Sequence, residues 1–176
     1  MATALAPLVV MMGVTGCGKT AVGNLLARQL GAEFLEGDEL HPARNLERMA
    51  SGIALTEHDR KDWLLEIARQ LADARAGRHA LVVSCTALTR GYRDILRTAS
   101  SQLAFVHIHA GRDLLAPRLK QRRDALAATA LLDSQLAMLE PPGADERALT
   151  LHAALPPEQL AAQVAAWLGQ GARSGR

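Results

Sequence analysis

Aromatic residues are scarce in this chain: phenylalanine, tryptophan and tyrosine together make up 3% of its 176 positions. Proteins that grip single-stranded nucleic acid stack bases on several such rings, so the scarcity excludes that class of partner. Charge does not replace the rings. Lysine and arginine number 20 against 18 aspartates and glutamates, a net +2. That balance is ordinary for a soluble protein and far from a basic nucleic-acid-binding tail. Cysteine is limited to Cys17 and Cys85, neither in a CxxC pair, which leaves no zinc-finger spacing and no dithiol motif. Free thiols fit a reducing compartment. No segment approaches the roughly 18 consecutive apolar residues of a membrane span. The stretch from Met1 to Pro7 carries no basic residue and is expected to be a frayed start rather than a signal peptide.

What the chain does have is 49% hydrophobic content, enough to build one compact domain over residues 1–176. The run Leu8-Val9-Val10-Met11-Met12 reads as a strand buried on both faces. Lys19 to Leu30 has helical spacing and stops at Gly31. Glu33 to Glu36 reads as a second strand, and His41 to Ser51 as a helix. Thr56 with Asp59 three positions on is a variant capping box opening a helix to about Ala76. Ala80–Cys85 and Leu103–Ile108 read as further strands, and Leu149–Leu151 as a short fifth. Helices are expected over Thr89–Ser100, Arg112–Arg123, Leu131–Leu139, and from Pro156 to near Gly169. The alanine-rich stretch from Ala125 to Ala130 is expected to be mobile, and residues 170–176 a disordered tail. Strands alternating with helices predict an α/β fold with a five-stranded, mostly parallel sheet flanked by helices.

The sharpest local feature is Gly13-Val14-Thr15-Gly16-Cys17-Gly18-Lys19-Thr20. It satisfies G-x-x-x-x-G-K-[ST] in full, between a predicted strand and a predicted helix. Such a loop turns successive backbone N–H groups toward phosphate oxygens, and the following helix adds its positive end. Lys19 is placed to reach the β- and γ-phosphates of ATP, and the Thr20 hydroxyl to ligate Mg²⁺. Cys17 holds the variable position of the loop and reads as a tolerated small residue. A phosphate loop alone does not separate kinases from GTPases or motors. There is no N-K-x-D guanine-reading motif, and the third strand ends in Ser84-Cys85 rather than an acid. The small-metabolite and nucleoside-monophosphate kinase type remains, with a helical substrate region over about 37–76 and an arginine-bearing lid over about 118–135.

Asp38 stands just past the second strand, at the sheet edge where ligands of open parallel sheets bind. A carboxylate there can take or orient a hydroxyl proton, or help hold the metal. Arg118 and Arg122, four apart on one predicted helix, share a face and are candidates to clamp the nucleotide and the transferring phosphoryl group.

Beyond these motifs, Gly37-Asp38-Glu39-Leu40-His41-Pro42-Ala43-Arg44-Asn45-Leu46-Glu47-Arg48-Met49-Ala50-Ser51-Gly52 resembles the segment that follows strand two in the gluconokinase family. Asp59-Arg60 with Trp63-Leu64, Cys85-Thr86-Ala87-Leu88 with Tyr92-Arg93-Asp94-Ile95-Leu96-Arg97, then Ser134-Gln135 and Leu139-Glu140-Pro141-Pro142 continue the resemblance. It implies ATP- and Mg²⁺-dependent phosphorylation of D-gluconate to 6-phosphogluconate, in the cytoplasm, by a homodimer. On this chain it implies Asp38 as base or orienting carboxylate, Arg60 as partner of the gluconate carboxylate, and His41 and Arg93 as further substrate contacts. For Arg93 a structural pairing with an acid is the alternative. The sequence departs from the family pattern at Thr89, where lysine is usual, and at Ala125-Leu126, where His-Phe is usual. Two other readings stay open: a relative acting on another sugar acid or on shikimate, and a catalytically weak nucleotide-binding protein.

Overall fold

The computed structural model describes residues 5–51, 53, 55–123 and 125–174. Its strands are β1 (Leu8–Met12), β2 (Glu33–Glu36), β3 (Leu81–Ser84), β4 (Ala104–His109) and β5 (Ala148–His152). They form one sheet in the order β2-β3-β1-β4-β5. All four pairings are parallel, so the sheet is wholly rather than mostly parallel. The helices are α1 (Lys19–Leu30), α2 (Ala43–Ala50), α3 (Glu57–Ala76), α4 (Arg90–Arg97), α5 (Arg112–Leu119), α6 (Ala125–Met138) and α7 (Pro157–Ser174).

Strand residues alternate faces, so a fully apolar strand feeds two cores. Val9 and Met11 pack with Val22 and Leu26 of α1, and with Leu160 and Val164 of α7. Leu8, Val10 and Met12 pack on the opposite side with Trp63, Leu64, Ile67 and Leu71 of α3 and Leu96 of α4. Helices therefore cover both faces and leave the carboxyl edge of the sheet for chemistry. The capping box that opens α3 forms as the spacing predicts: Asp59 N–H bonds Thr56, and the Asp59 side chain accepts from the Thr56 backbone. Among the described residues no helix is long and apolar enough to cross a membrane.

Three boundaries differ from the sequence expectation by more than one helical turn. α5 ends at Leu119, four residues before Arg123; it carries Pro117, which removes a backbone donor, and a run of like charges follows. The stretch after Ala125, expected to be mobile, is the first part of α6. Alanine and leucine are strong helix formers, and Ala128 and Leu132, one turn apart, are buried in the α1/α7 core. α7 runs through Gly169 and Gly171 to Ser174, because each glycine costs only about 1 kcal/mol in a helix and the buried face before them already anchors the segment. Of the expected tail, Gly175 and Arg176 lie outside the described residues, as does Gly52 of the segment after β2.

Candidate active site

The loop between β1 and α1 is built by its backbone. Gly13, Gly16 and Gly18 have φ of 144°, 81° and 104°, a region that side-chain-bearing residues avoid. A Cβ on Gly13 would lie 2.5 Å from the Ile108 carbonyl oxygen and 2.8 Å from Cys17 Sγ, so only glycine fits against the end of β4. Val14 and Cys17 turn into the core at 2% and 1% exposure, which leaves main chain to line the loop. Cys17 is thus a packing thiol. α1 has neither a side-chain cap nor an acid in its first turn; its N–H groups and positive end face an anion site without a competing carboxylate. Lys19 Nζ folds back 3.1 Å onto the Val14 carbonyl. The Thr15 N–H donates to Gln135 Oε1 of α6 at 2.7 Å, so an amide oxygen sits where a phosphate oxygen would be received.

Beside this loop stands a carboxylate that the sequence did not single out. β2 neighbours β3, and Glu36 is in register with Ser84. Thr20 Oγ1 donates to Glu36 Oε2 at 2.6 Å, and Ser84 Oγ donates to Glu36 Oε1. The acid absent from the end of β3 is supplied by the adjacent strand. Gly37 makes the approach possible: a Cβ there would meet the Ser84 carbonyl oxygen at 2.0 Å. A single-turn 3₁₀ segment, Gly37–Leu40, then carries Asp38 out, exposed, at the carboxyl edge. Burial pushes the neighbouring Cys85 thiol up to about 12, with Asp38, Lys19 and Glu36 all near enough to act on it electrostatically. That thiol is inert. Thr20, Glu36 and Asp38 are hard oxygen donors and fit Mg²⁺, which binds through one or two carboxylates plus phosphate oxygens and water. Among the described residues no group of three or more His, Cys, Asp or Glu side chains is gathered for a metal, and such a Mg²⁺ site needs none.

His41 closes the 3₁₀ turn. Its ring stacks on Trp63 with centroids 4.3 Å apart and planes 14° apart, and Trp63 Nε1–H is held by the Gly37 carbonyl at 2.7 Å. Burial lowers the His41 pKa more than nearby Asp38 raises it. Arg60 lies on α3, with Nη1 2.7 Å from Glu57 Oε1. Tyr92 Oη donates to the same carboxylate at 2.9 and 3.0 Å. A hollow of about 440 Å³ lies there between α3 and α4, lined by Glu57, Lys61, Thr89 and Tyr92 among others, and no phosphate-loop residue lines it.

Arg93 and Arg118 are engaged within the protein, and Arg118 and Arg122 are not paired on one helix. Arg93 is fully buried. Its Nε and Nη2 bond the two oxygens of Glu146 at 2.7 and 3.0 Å, and Nη1 bonds the Ala87 and Leu88 carbonyls. All three guanidinium nitrogens are engaged, so it braces the β3–α4 turn, where Ala87 sits at φ 43°, which is the structural pairing with an acid that stood as its alternative. Arg118 and Arg122 do not share a helix face, because α5 ends between them. Arg118 Nη2 donates to the Ala153 carbonyl at 2.7 Å, whereas Arg122 lies exposed in the following turn. Thr89 caps α4, its hydroxyl accepting from the Tyr92 N–H at 3.2 Å, a task lysine cannot perform.

Comparison with known proteins bears on this arrangement. A family model described as an AAA domain matches residues 8–142. The thermoresistant gluconokinase of Escherichia coli (strain K12) is 44% identical over 78% of each chain. The gluconokinase of Gluconobacter oxydans (strain 621H) is 45% identical, over 78% of this chain and 77% of that one. A crystal structure of a gluconokinase from Sinorhizobium meliloti 1021 superposes with a TM-score of 0.83 at 37% identity, covering 98% of this chain and 97% of that one. Shikimate kinase from Aquifex aeolicus vf5, at 16% identity and a TM-score of 0.58 over 93% of this chain and 97% of that one, shares the fold alone.

Proposed function

The chain belongs to the gluconokinase family, and from that premise we propose that it transfers the γ-phosphoryl group of ATP to a hydroxyl of D-gluconate, giving 6-phospho-D-gluconate. The observation that carries this reading is the junction of a complete phosphate loop with the Glu36–Thr20–Ser84 cluster and Asp38 at one sheet edge, in a chain 44% identical to a gluconokinase. Phosphoryl transfer asks little covalent chemistry of the protein; catalysis is positioning and charge stabilisation.

The loop amides and Lys19 hold the β- and γ-phosphates. Thr20, Glu36 and Asp38 would hold Mg²⁺, which would neutralise charge on the phosphate oxygens. Asp38, exposed in its turn, aligns the acceptor hydroxyl and takes its proton. Arg60 exchanges Glu57 for the substrate carboxylate, a planar anion matched to a guanidinium. His41 meets a sugar hydroxyl. Within the expected lid segment 118–135, the exposed turn that carries Arg122 closes over the site, supplying positive charge as water is excluded. The protein works in the cytoplasm as a homodimer.

Steady-state ADP release with gluconate and a panel of other sugar acids tests the reading. Gluconate is expected to give the highest kcat/KM, and Asp38→Asn to lower kcat by about 10²–10⁴-fold with ATP binding retained. Equal turnover of several acids would shift the assignment to a broader sugar-acid kinase, and an unchanged kcat in Asp38→Asn would remove Asp38 from the chemistry.

A further inference from the structure

Asn45 is completely buried, on the first turn of α2, in a chain region otherwise rich in exposed charge. A buried amide needs partners for its polar atoms; among the described residues Oδ1 has none, and the contacts are all made by Nδ2. Its Nδ2 has two protons, and both are committed: one to the Asp59 carbonyl oxygen at 2.9 Å, the other toward His41 Nδ1 at 3.3 Å. The first contact settles which way the amide points. A backbone carbonyl only accepts, so the atom facing it is the NH₂ nitrogen and not Oδ1. That carbonyl cannot drift, because Asp59 is locked in the capping box at the start of α3.

The second contact then dictates the state of the histidine. An NH₂ group only donates, so the Nδ1 that faces it carries no proton. For the neutral ring this contact assigns the proton to Nε2. Among the described residues no hydrogen bond uses His41 Nε2. The ring is also fixed in plane by its stack on Trp63, which leaves the imidazole little freedom to turn.

We propose that Asn45 is a positioning residue that holds His41 as the Nε2–H tautomer, so that the ring presents a fixed hydrogen-bond donor to an oxygen of the polyol acceptor. The proposal rests on the assignment of a sugar acid as substrate. It makes His41 a reader of hydroxyl or carboxylate oxygens and not a proton acceptor, and it assigns the second Asn45 proton a function that packing alone does not explain. Asn45 itself touches no substrate and acts only through the ring.

Long-range ¹H–¹⁵N spectra of the whole protein labelled at histidine read the tautomer directly. Wild type is expected to show Nε2–H at His41, and Asn45→Ala a mixture of tautomers. A dominant Nδ1–H signal in wild type overturns the proposal, whatever the activity. In kinetics, Asn45→Ala is expected to raise the gluconate KM about 3–10-fold, the worth of one hydrogen bond, with kcat and the ATP KM held within about 2-fold. His41→Gln offers an amide N–H near the Nε2 position and has no tautomers. Introduced into Asn45→Ala, it is expected to restore the gluconate KM. A purely structural Asn45 predicts no such rescue, and an Asn45→Ala protein whose gluconate KM stays at the wild-type value while folded also overturns the proposal. If wild type leaves gluconate untouched, the substrate assignment fails by itself, and the spectra still decide the tautomer.

Discussion

Two of the arginine–glutamate pairs in this chain, Arg93–Glu146 and Arg60–Glu57, do different work. Arg93 and Glu146 have side chains 1% and 2% exposed; Arg60 and Glu57 are 30% and 73% exposed. The shortest N–O distance is 2.7 Å in both pairs, so contact geometry does not separate them. Solvent does. A buried pair has lost its hydration and cannot part without leaving a bare charge in a low-dielectric interior. A rim pair has water as an alternative partner and is held by about 1 kcal/mol or less. The first fixes the scaffold behind the site. The second can trade its carboxylate for one that arrives with a substrate.

The largest effect expected from breaking that contrast is on stability. Arg93→Ala removes one member of the buried pair and the donors to Ala87 and Leu88, and should cost about 3–5 kcal/mol in denaturant unfolding. Replacing both partners, as in Arg93→Met with Glu146→Leu, should recover much of that loss, since the desolvated charge goes too. The next effect is acid sensitivity. Burial opposes ionisation of Glu146, but hydrogen bonds from Arg93, the Gly143 N–H and Arg97 outweigh it and hold the carboxyl at about 2, down from 4.5. A depressed carboxyl contributes stability that is fully present above about pH 4.5 and lost as pH falls through about 2. The shift corresponds to about 3 kcal/mol. Unfolding free energy measured between pH 5 and pH 2 should fall by an amount of that order in wild type, and the Glu146 contribution should vanish in the doubly substituted protein. A flat profile in wild type would mean that Glu146 is solvated after all.

The same contrast explains what could be read in the amino-acid order. Gly13 to Thr20, the strand before it and the Thr56–Asp59 cap are local patterns, each set by residues within a few positions of one another. They formed where the spacing put them. Glu36 was legible only as the last residue of a strand, because its partner Ser84 is 48 positions away and strand order is not written in local pattern. Arg93 has the same difficulty, with Glu146 53 positions off; a guanidinium reads alike whether it meets water, substrate or a buried acid. Only the first half of the helix at Ala125–Met138 was obscured by composition, since an alanine-rich tract without a polar face shows no period until a core exists for Ala128 and Leu132 to enter. Gln135 belongs to this group too, its contact with the Thr15 amide spanning 120 positions.

The smallest stability effect, and the sharpest test of the comparison, belongs to Arg60. With water beside it, Arg60→Ala should change unfolding free energy by less than about 1 kcal/mol. Its effect should fall instead on the acceptor: losing a charge-assisted hydrogen bond of about 1.5–3 kcal/mol raises the gluconate KM about 10- to 100-fold. Glu57→Gln should move the opposite way. It removes the resident carboxylate that competes for Arg60, and so should lower the gluconate KM by up to about 5-fold, the equivalent of about 1 kcal/mol. Opposite signs at two adjacent side chains cannot come from general loosening of α3, which would weaken binding in both. Should Arg60→Ala destabilise the fold as severely as Arg93→Ala, exposure would not be what divides the two pairs, and Arg60 would join Arg93 as a strut.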